Sequence, residues 1–221
     1  MKITCGELAH EIHSITTQLV QLGLCDRQNF PSIIENNSGI SQITLNNPGS
    51  FSTALGNASY RELYEVTNED GSYNFKMLDG ALVRMLYTFD HHELLSHRLA
   101  FFPSPDLEKF QTDPDIYLGD EIYADIISKD VVPFPIRFDF DRLEKLHVEV
   151  HHPKSHLTLG QYEKCRIPVS APLTPFVFIE FILRNFYNTA FIKYTDKIHF
   201  QGLRFADTLT KKEQKIPHLK F

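Results

Sequence analysis

An α+β fold, with helices packed on one side of a curved antiparallel sheet, is what this sequence predicts, and three observations carry the prediction. Leu8, Ile12, Ile15, Leu19 and Leu22 recur at steps of three and four, the spacing of one helical face. Several short segments in the middle of the chain alternate apolar and polar residues with turn residues between them, the period of half-buried strands. A second apolar stretch, residues 175–190, follows Pro172 and Pro175 and carries Glu180, Arg184 and Asn185, which mark it as a buried helix rather than a membrane span.

In chain order, the spacing predicts a helix over residues 5–22, with Gly23 as its C-terminal cap. Residues 26–58 are rich in Asn, Ser, Gly and Pro and predict an irregular connection with one short strand. The alternation of Tyr60–Val66 predicts a strand closed by the turn Asn68–Gly71. Residues 74–78 and 81–89, joined by Asp79-Gly80, predict a hairpin, because Asp-Gly suits the positive φ angles of a tight turn. Residues 94–102 extend the sheet, and residues 106–128 predict helical pieces interrupted at Pro114. Further strands are expected at 136–140, 147–151, 157–159 and 166–169 before the 175–190 helix. The chain is expected to form a single domain, 1–221, with an exposed basic tail at about 208–221 carrying Lys211, Lys212, Lys215 and Lys220.

Composition bounds the function. Of the 221 residues, 42% are hydrophobic and 23% charged, so a large core can be buried and disorder is excluded. A net charge of −6 argues against a surface coated with nucleic-acid-binding charge, although affinity follows local phosphate contacts and leaves room for a basic groove. Cys5, Cys25 and Cys165 lack Cys-x-x-Cys spacing and imply reduced thiols in a cytoplasmic protein. The N-terminus, with Glu7, His10 and Glu11 among its apolar positions, lacks the pattern of a signal peptide, and no membrane association is expected. Gly-x-x-x-x-Gly-Lys, Gly-x-Ser-x-Gly and His-Glu-x-x-His are absent from the sequence.

The densest polar constellation lies between Arg137 and Arg166. Alternation in Arg137-Phe-Asp139-Phe-Asp141 sends the guanidinium and two carboxylates to one face and Phe138 and Phe140 to the core. The same pattern in residues 147–151 predicts Val148 and Val150 inward, with His147, Glu149 and His151 together. His147, His151, His152 and His156 place four of the 11 histidines within ten residues. If the segments at 137 and 147 are hairpin partners, Asp139 or Asp141 faces His151. The candidate catalytic groups are therefore His151, His152, His156 and Asp139, and the candidate substrate-binding groups are Arg137, Arg166 and Lys154. Three kinds of chemistry remain open. Imidazoles with a carboxylate can hold a divalent metal that activates water. Two imidazoles can act as general base and acid while arginines stabilise a pentavalent phosphate, with no cofactor at all. Or the histidines cap a turn and satisfy buried carbonyls. Asp90-His91-His92-Glu93 with His97 forms a second cluster, expected to be a solvated turn, and His10 and His13 are expected to be bystanders on the first helix.

Arg137-Phe-Asp-Phe-Asp, His152-Pro-Lys-Ser-His156-Leu, Cys165-Arg-Ile-Pro168, Pro172-Leu-Thr-Pro175 and Arg184-Asn-Phe-Tyr187 together resemble an uncharacterised bacterial family known only as a domain of unknown function. The resemblance runs over most of the chain and is densest from residue 133 to 188. It implies an occurrence in mobile or defence-type gene neighbourhoods, and so a toxin or effector with a protein partner encoded nearby. The Arg-x-Asp and His-x-x-x-His elements also resemble small toxin proteins suspected of acting on RNA. The function expected on these grounds is a phosphodiester-cleaving, nuclease-like effector of a prokaryotic antiphage defence or toxin–antitoxin system, acting on RNA or DNA. The alternative is a non-catalytic interaction subunit of a multi-component defence complex.

Overall fold

A computed structural model describes residues 3–45, 58–105, 134–161, 164–198 and 202–221. The fold is mixed α and β. Among the described residues, four α-helices accompany one open, nine-stranded antiparallel sheet. The helical pieces expected over 106–128 lie outside the described residues.

Helix α1 spans Cys5–Gln21. Its start is fixed by a capping box, in which the Glu7 N–H donates to Thr4 Oγ1 at 3.2 Å and the Thr4 N–H donates to Glu7 Oε2 at 2.8 Å. Its end is set by Gly23 at φ +69°, which lets the Leu24 N–H return to the Leu19 carbonyl at 2.9 Å. Three short strands follow where one was expected: β1 (Cys25–Gln28), β2 (Ser32–Glu35) and β3 (Ile40–Thr44).

The segment from Tyr60 is a helix, α2 (Tyr60–Glu69), and not the expected strand. A second capping box decides it. The Ser59 hydroxyl accepts from the Glu62 N–H, and the Glu62 carboxylate accepts from the Ser59 N–H at 2.7 Å. The predicted hairpin forms as β4 (Phe75–Met77) and β5 (Leu82–Asp90), with Gly80 at φ +86°. Strands β6 (Glu93–Phe102), β7 (Ile136–Asp141), β8 (Ser155–Leu159) and β9 (Ile167–Pro168) complete the order β4-β5-β6-β7-β8-β9. Strand β3 pairs with the far half of β5, and β2 pairs with β3.

Residues 147–151 do not form a strand. A 3₁₀ turn at Glu144–Leu146 leads into an isolated bridge between Val148 and His152. Val148 is 53% exposed, and Val150 takes φ +73°, so neither forms the inward face that alternation predicts. β7 instead pairs with β8, which sets Asp139 opposite His156 rather than His151.

Helix α3 (Pro175–Phe186) begins with Pro175 behind the Thr174 N-cap and stops short of the expected residue 190. Tyr187 leaves helical geometry and donates its hydroxyl to Asp79 at 2.6 Å, after which α4 (Asn188–Tyr194) continues. The basic tail is anchored through its other residues. Leu219 bridges Val169 beside β9, Phe221 packs on Phe138 and Phe181, and Glu213 is fully buried, while Lys211, Lys212, Lys215 and Lys220 are exposed.

Strand alternation sorts the sheet into two faces. Val83, Met85, Leu99, Phe101, Phe138 and Leu157 join Leu8, Ile12, Ile15, Phe178 and Ile182 in one core beneath α1 and α3. The opposite face carries Leu82, Arg84 and Leu86 of β5, Ser96, Arg98, Ala100 and Phe102 of β6 and the odd positions of β7. At one end of it, Tyr64 of α2 covers Leu82, Ala100 and Phe102. Among the described residues, no helix is long and apolar enough to cross a membrane.

Candidate functional site

The polar face of the sheet floors a groove of about 750 Å³. Two cross-strand rows define it. Arg98, Asp139, His156 and Pro168 stand in register across β6, β7, β8 and β9, and Arg84, Ala100, Arg137 and Thr158 form the next row across β5 to β8. Side chains directly opposite in antiparallel strands stand about 5 Å apart, so each row is a line of touching neighbours. The 142–154 loop walls one end, with His147, His152 and Lys154 reaching the groove, and Arg166 approaches from the start of β9.

Ion pairs and the buried Glu213 carboxylate hold that loop in place. Arg142 donates to Glu93 at 2.8 Å and to Asp90 at 2.6 Å, tying the loop to the β5–β6 turn. Glu213 accepts from the Val150 N–H at 3.2 Å and the Thr210 N–H at 2.9 Å and lies 3.4 Å from His147 Nε2. Lys154 pairs with Glu144, and Lys212 pairs with Glu149 at 2.7 Å. Glu213 thereby connects the tail to the loop, and the positive φ of Val150 is held by its own N–H bond to that carboxylate.

His156 is 6% exposed. Its Nδ1 lies 2.9 Å from the Pro153 carbonyl, which can only accept, so Nδ1 carries the hydrogen and Nε2 presents a lone pair. Nε2 lies 3.9 Å from Asp139 Oδ2. Burial pushes the His156 pKa below the ordinary imidazole value, against the opposing pull of Asp139 and the Pro153 carbonyl. His152 packs edge-on against it, with ring centroids 5.1 Å apart and planes at 70°. Its pKa is also lowered, by burial and then by the nearby Arg166 charge.

The structure thus brings together His152, His156, Asp139, Arg137, Arg166 and Lys154 around one groove. It places His151 elsewhere: that residue is exposed on the outer turn and does not line the groove. Arg84 and Arg98 line the groove without having been singled out in the sequence. The signal for them was present, because alternation within the expected strands 81–89 and 94–102 sends Arg84 and Arg98 away from the face of Val83, Met85 and Leu99. Among the described residues, no three His, Cys, Asp or Glu side chains come together as metal donors.

The remaining histidine clusters resolve into structural roles. His91 pairs with Asp90 at 2.8 Å on an exposed turn, and His13 stacks on Phe30 with centroids 4.3 Å apart. His97 faces the core, where its Nε2 accepts from the Leu173 N–H at 3.1 Å. Burial drives its pKa to about 3. It is a neutral hydrogen-bond acceptor there.

Searches of curated proteins and of solved structures find no significant match to this chain. A family model does match, over residues 24–221, which takes in every groove residue named above and begins after the end of α1. The chain therefore belongs to DUF2290, a family described as uncharacterized conserved proteins.

Proposed function

We propose that this chain is a phosphodiester-cleaving, nuclease-like effector that works by acid–base chemistry on RNA. The observation that carries the reading is His156, a buried imidazole whose tautomer is fixed by a backbone carbonyl so that its basic nitrogen faces a groove lined by Arg98, Arg137, Arg166 and Lys154. Nε2 of His156 takes the proton of the ribose 2′-hydroxyl as the 2′-oxygen bonds to phosphorus. The P–O5′ bond breaks, and the leaving O5′ takes a proton from the His152 imidazolium. The products are a 2′,3′-cyclic phosphate and a 5′-hydroxyl, with one proton accepted and one donated by the enzyme. Asp139 stabilises the imidazolium formed at His156, and Arg137, Arg166 and Lys154 offset the growing phosphorane charge. The wider setting, a cytoplasmic antiphage or toxin–antitoxin system with a protein partner encoded nearby, is supported by the sequence resemblance.

Both imidazoles have pKa values below the ordinary value of about 6.5. The base must be neutral and the acid protonated, so kcat/KM should be bell-shaped with its optimum on the acid side of pH 6.5. The test is cleavage of a single-stranded RNA by wild type and His156→Ala, with 3′-end analysis of the products and a parallel reaction in EDTA. Cyclic phosphate ends that depend on His156 and survive EDTA support the reading. A 3′-hydroxyl product, or undiminished cleavage by His156→Ala, overturns it.

A second reading, a non-catalytic interaction subunit, is favoured by one feature. Leu143, Leu146 and Val148 on the loop at the groove's end are 41%, 41% and 53% exposed. Stoichiometric copurification with a co-encoded protein, abolished by Val148→Ser and indifferent to His156→Ala, would select this reading.

A further inference from the structure

The end of the groove beneath α2 carries three guanidiniums around a small floor residue. Ala100 lies opposite Arg84 on β5 and opposite Arg137 on β7, and Arg98 stands two residues before it on the same face of β6. The two neighbours directly across from Ala100 are therefore arginines, and Arg98 lies diagonal to both. Arg98 and Arg137 are exposed, whereas Arg84 is 8% exposed at the base of the cluster.

Burial and the like charge of Arg98 lower the Arg84 pKa to about 10, so the protein holds a partly desolvated guanidinium beside a second cation. Asp139, a carboxylate of the groove, is in register with Arg98 and also approaches His156. The Ala100 methyl group, packed with Tyr64 and Phe102, adds little bulk between the guanidiniums. Planar forks grouped on one face of a groove match the oxygens of a tetrahedral phosphate, which guanidinium groups bind in pairs of hydrogen bonds.

Ala100 and His156 are two strands and two residues apart, about 12 Å across the sheet. A single phosphate cannot touch both places. Arg137, two residues before Asp139 on the same strand face, stands between them. Resting on the reading that the groove holds an RNA strand, we infer that Arg84, Arg98 and Arg137 form a second phosphate subsite, which binds a backbone phosphate of that strand remote from the one cleaved at His156. The substrate is then a single strand several nucleotides long, held at two phosphates, rather than a dinucleotide or a mononucleotide.

The experiment uses a fluorescein-labelled ten-nucleotide RNA, the full chain carrying His156→Ala, and fluorescence anisotropy at several salt concentrations. Adding Arg98→Gln should weaken binding about tenfold and flatten the log Kd against log salt slope by about one unit, the value expected for one lost phosphate contact. Arg84→Gln should do the same. Because Arg84 is buried and its replacement can perturb folding, the exposed Arg98 variant, checked by its melting temperature, decides the matter. Cleavage in the wild-type background should show the same dependence on length: Arg98→Gln lowers kcat/KM for the ten-nucleotide strand by a larger factor than for a dinucleoside monophosphate. Unchanged affinity and slope in a folded Arg98→Gln protein overturn the subsite while leaving the His156 chemistry intact. Arg98-dependent binding by a protein that cleaves nothing overturns the catalysis and retains the subsite. Absence of binding by any version overturns both.

Discussion

His97 and His156 stand two strands apart in one sheet and meet opposite environments. His97 points under α3 into the core, contacts Tyr87 and Phe140, and serves the Leu173 N–H. His156 points to the other face, against Asp139 and His152 and among arginines. One residue type, with a lowered pKa in both places, is a hydrogen-bond acceptor of the fold in one and presents a lone pair to the groove in the other. The comparison teaches that burial alone does not decide whether a histidine's lone pair is consumed by the fold or left facing a groove. What distinguishes them is which nitrogen the backbone occupies. At His97 the backbone takes the lone pair on Nε2. At His156 a carbonyl takes the hydrogen on Nδ1 and leaves the lone pair facing the groove.

The sharpest way to break this comparison is to remove the groove imidazole. His156→Ala should reduce cleavage by about 10²–10⁴-fold, the usual worth of a general base, while the fold persists. Circular dichroism and a melting curve beside the RNA assay check it, and a loss of activity that merely tracks the unfolded fraction would place His156 with His97. On the core face, Phe138→Ala removes a ring that is 1% exposed and packed on Phe178, Phe181 and Phe221. It should cost about 3–5 kcal/mol by urea titration, with specific activity per folded molecule preserved.

A third test concerns a charge beneath the helices. Glu11 is 2% exposed and accepts from the Phe176 N–H at 3.1 Å, at the start of α3. Burial raises its pKa from 4.5 to about 7. Between those values the folded state holds a proton that the unfolded chain has released, so this group's contribution to stability falls as pH rises through the window and levels off above about 7. Its size is on the order of 3 kcal/mol. Glu11→Gln should flatten the dependence, which unfolding curves at pH 5 and pH 8 would measure. The smallest expected effect is at Arg166→Lys, which keeps the charge and loses the planar fork. About a tenfold fall in kcat/KM with unchanged melting would fit a phosphate contact, and wild-type kinetics would remove Arg166 from the site.

Much of the sheet was legible because alternation and the Asp79-Gly80 turn are local signals. The site was legible in composition more than in geometry. Arg137, Asp139, His152, His156 and Arg166 were grouped from sequence proximity, but the partner of Asp139 depends on which segment pairs with β7. That choice is not local: Glu213, 63 residues after Val150, captures the 147–150 segment as a loop and leaves β8 to pair. The Tyr60 segment shows the opposite failure. Ser59-Tyr-Arg-Glu62 is a capping signature visible in the sequence, and it outweighs the alternation that follows. Arg84 and Arg98 needed the β5–β6 register before they could be set beside Arg137.

The outer side of β9 has a consequence for self-association. A sheet that ends on an open strand offers its unpaired amides to any passing chain. Here the Leu219 N–H donates to the Pro168 carbonyl at 2.9 Å, the Ser170 N–H donates to the Leu219 carbonyl at 2.8 Å, and the Phe221 N–H donates to the Ser170 hydroxyl at 3.1 Å. Residues 219–221 thus act as a lid on the margin of the sheet, with the Phe221 ring pinned beside Phe138 and Phe181. A variant lacking these residues would present both an uncovered margin and an exposed aromatic socket. It should form concentration-dependent oligomers in light scattering at protein concentrations where the intact chain does not.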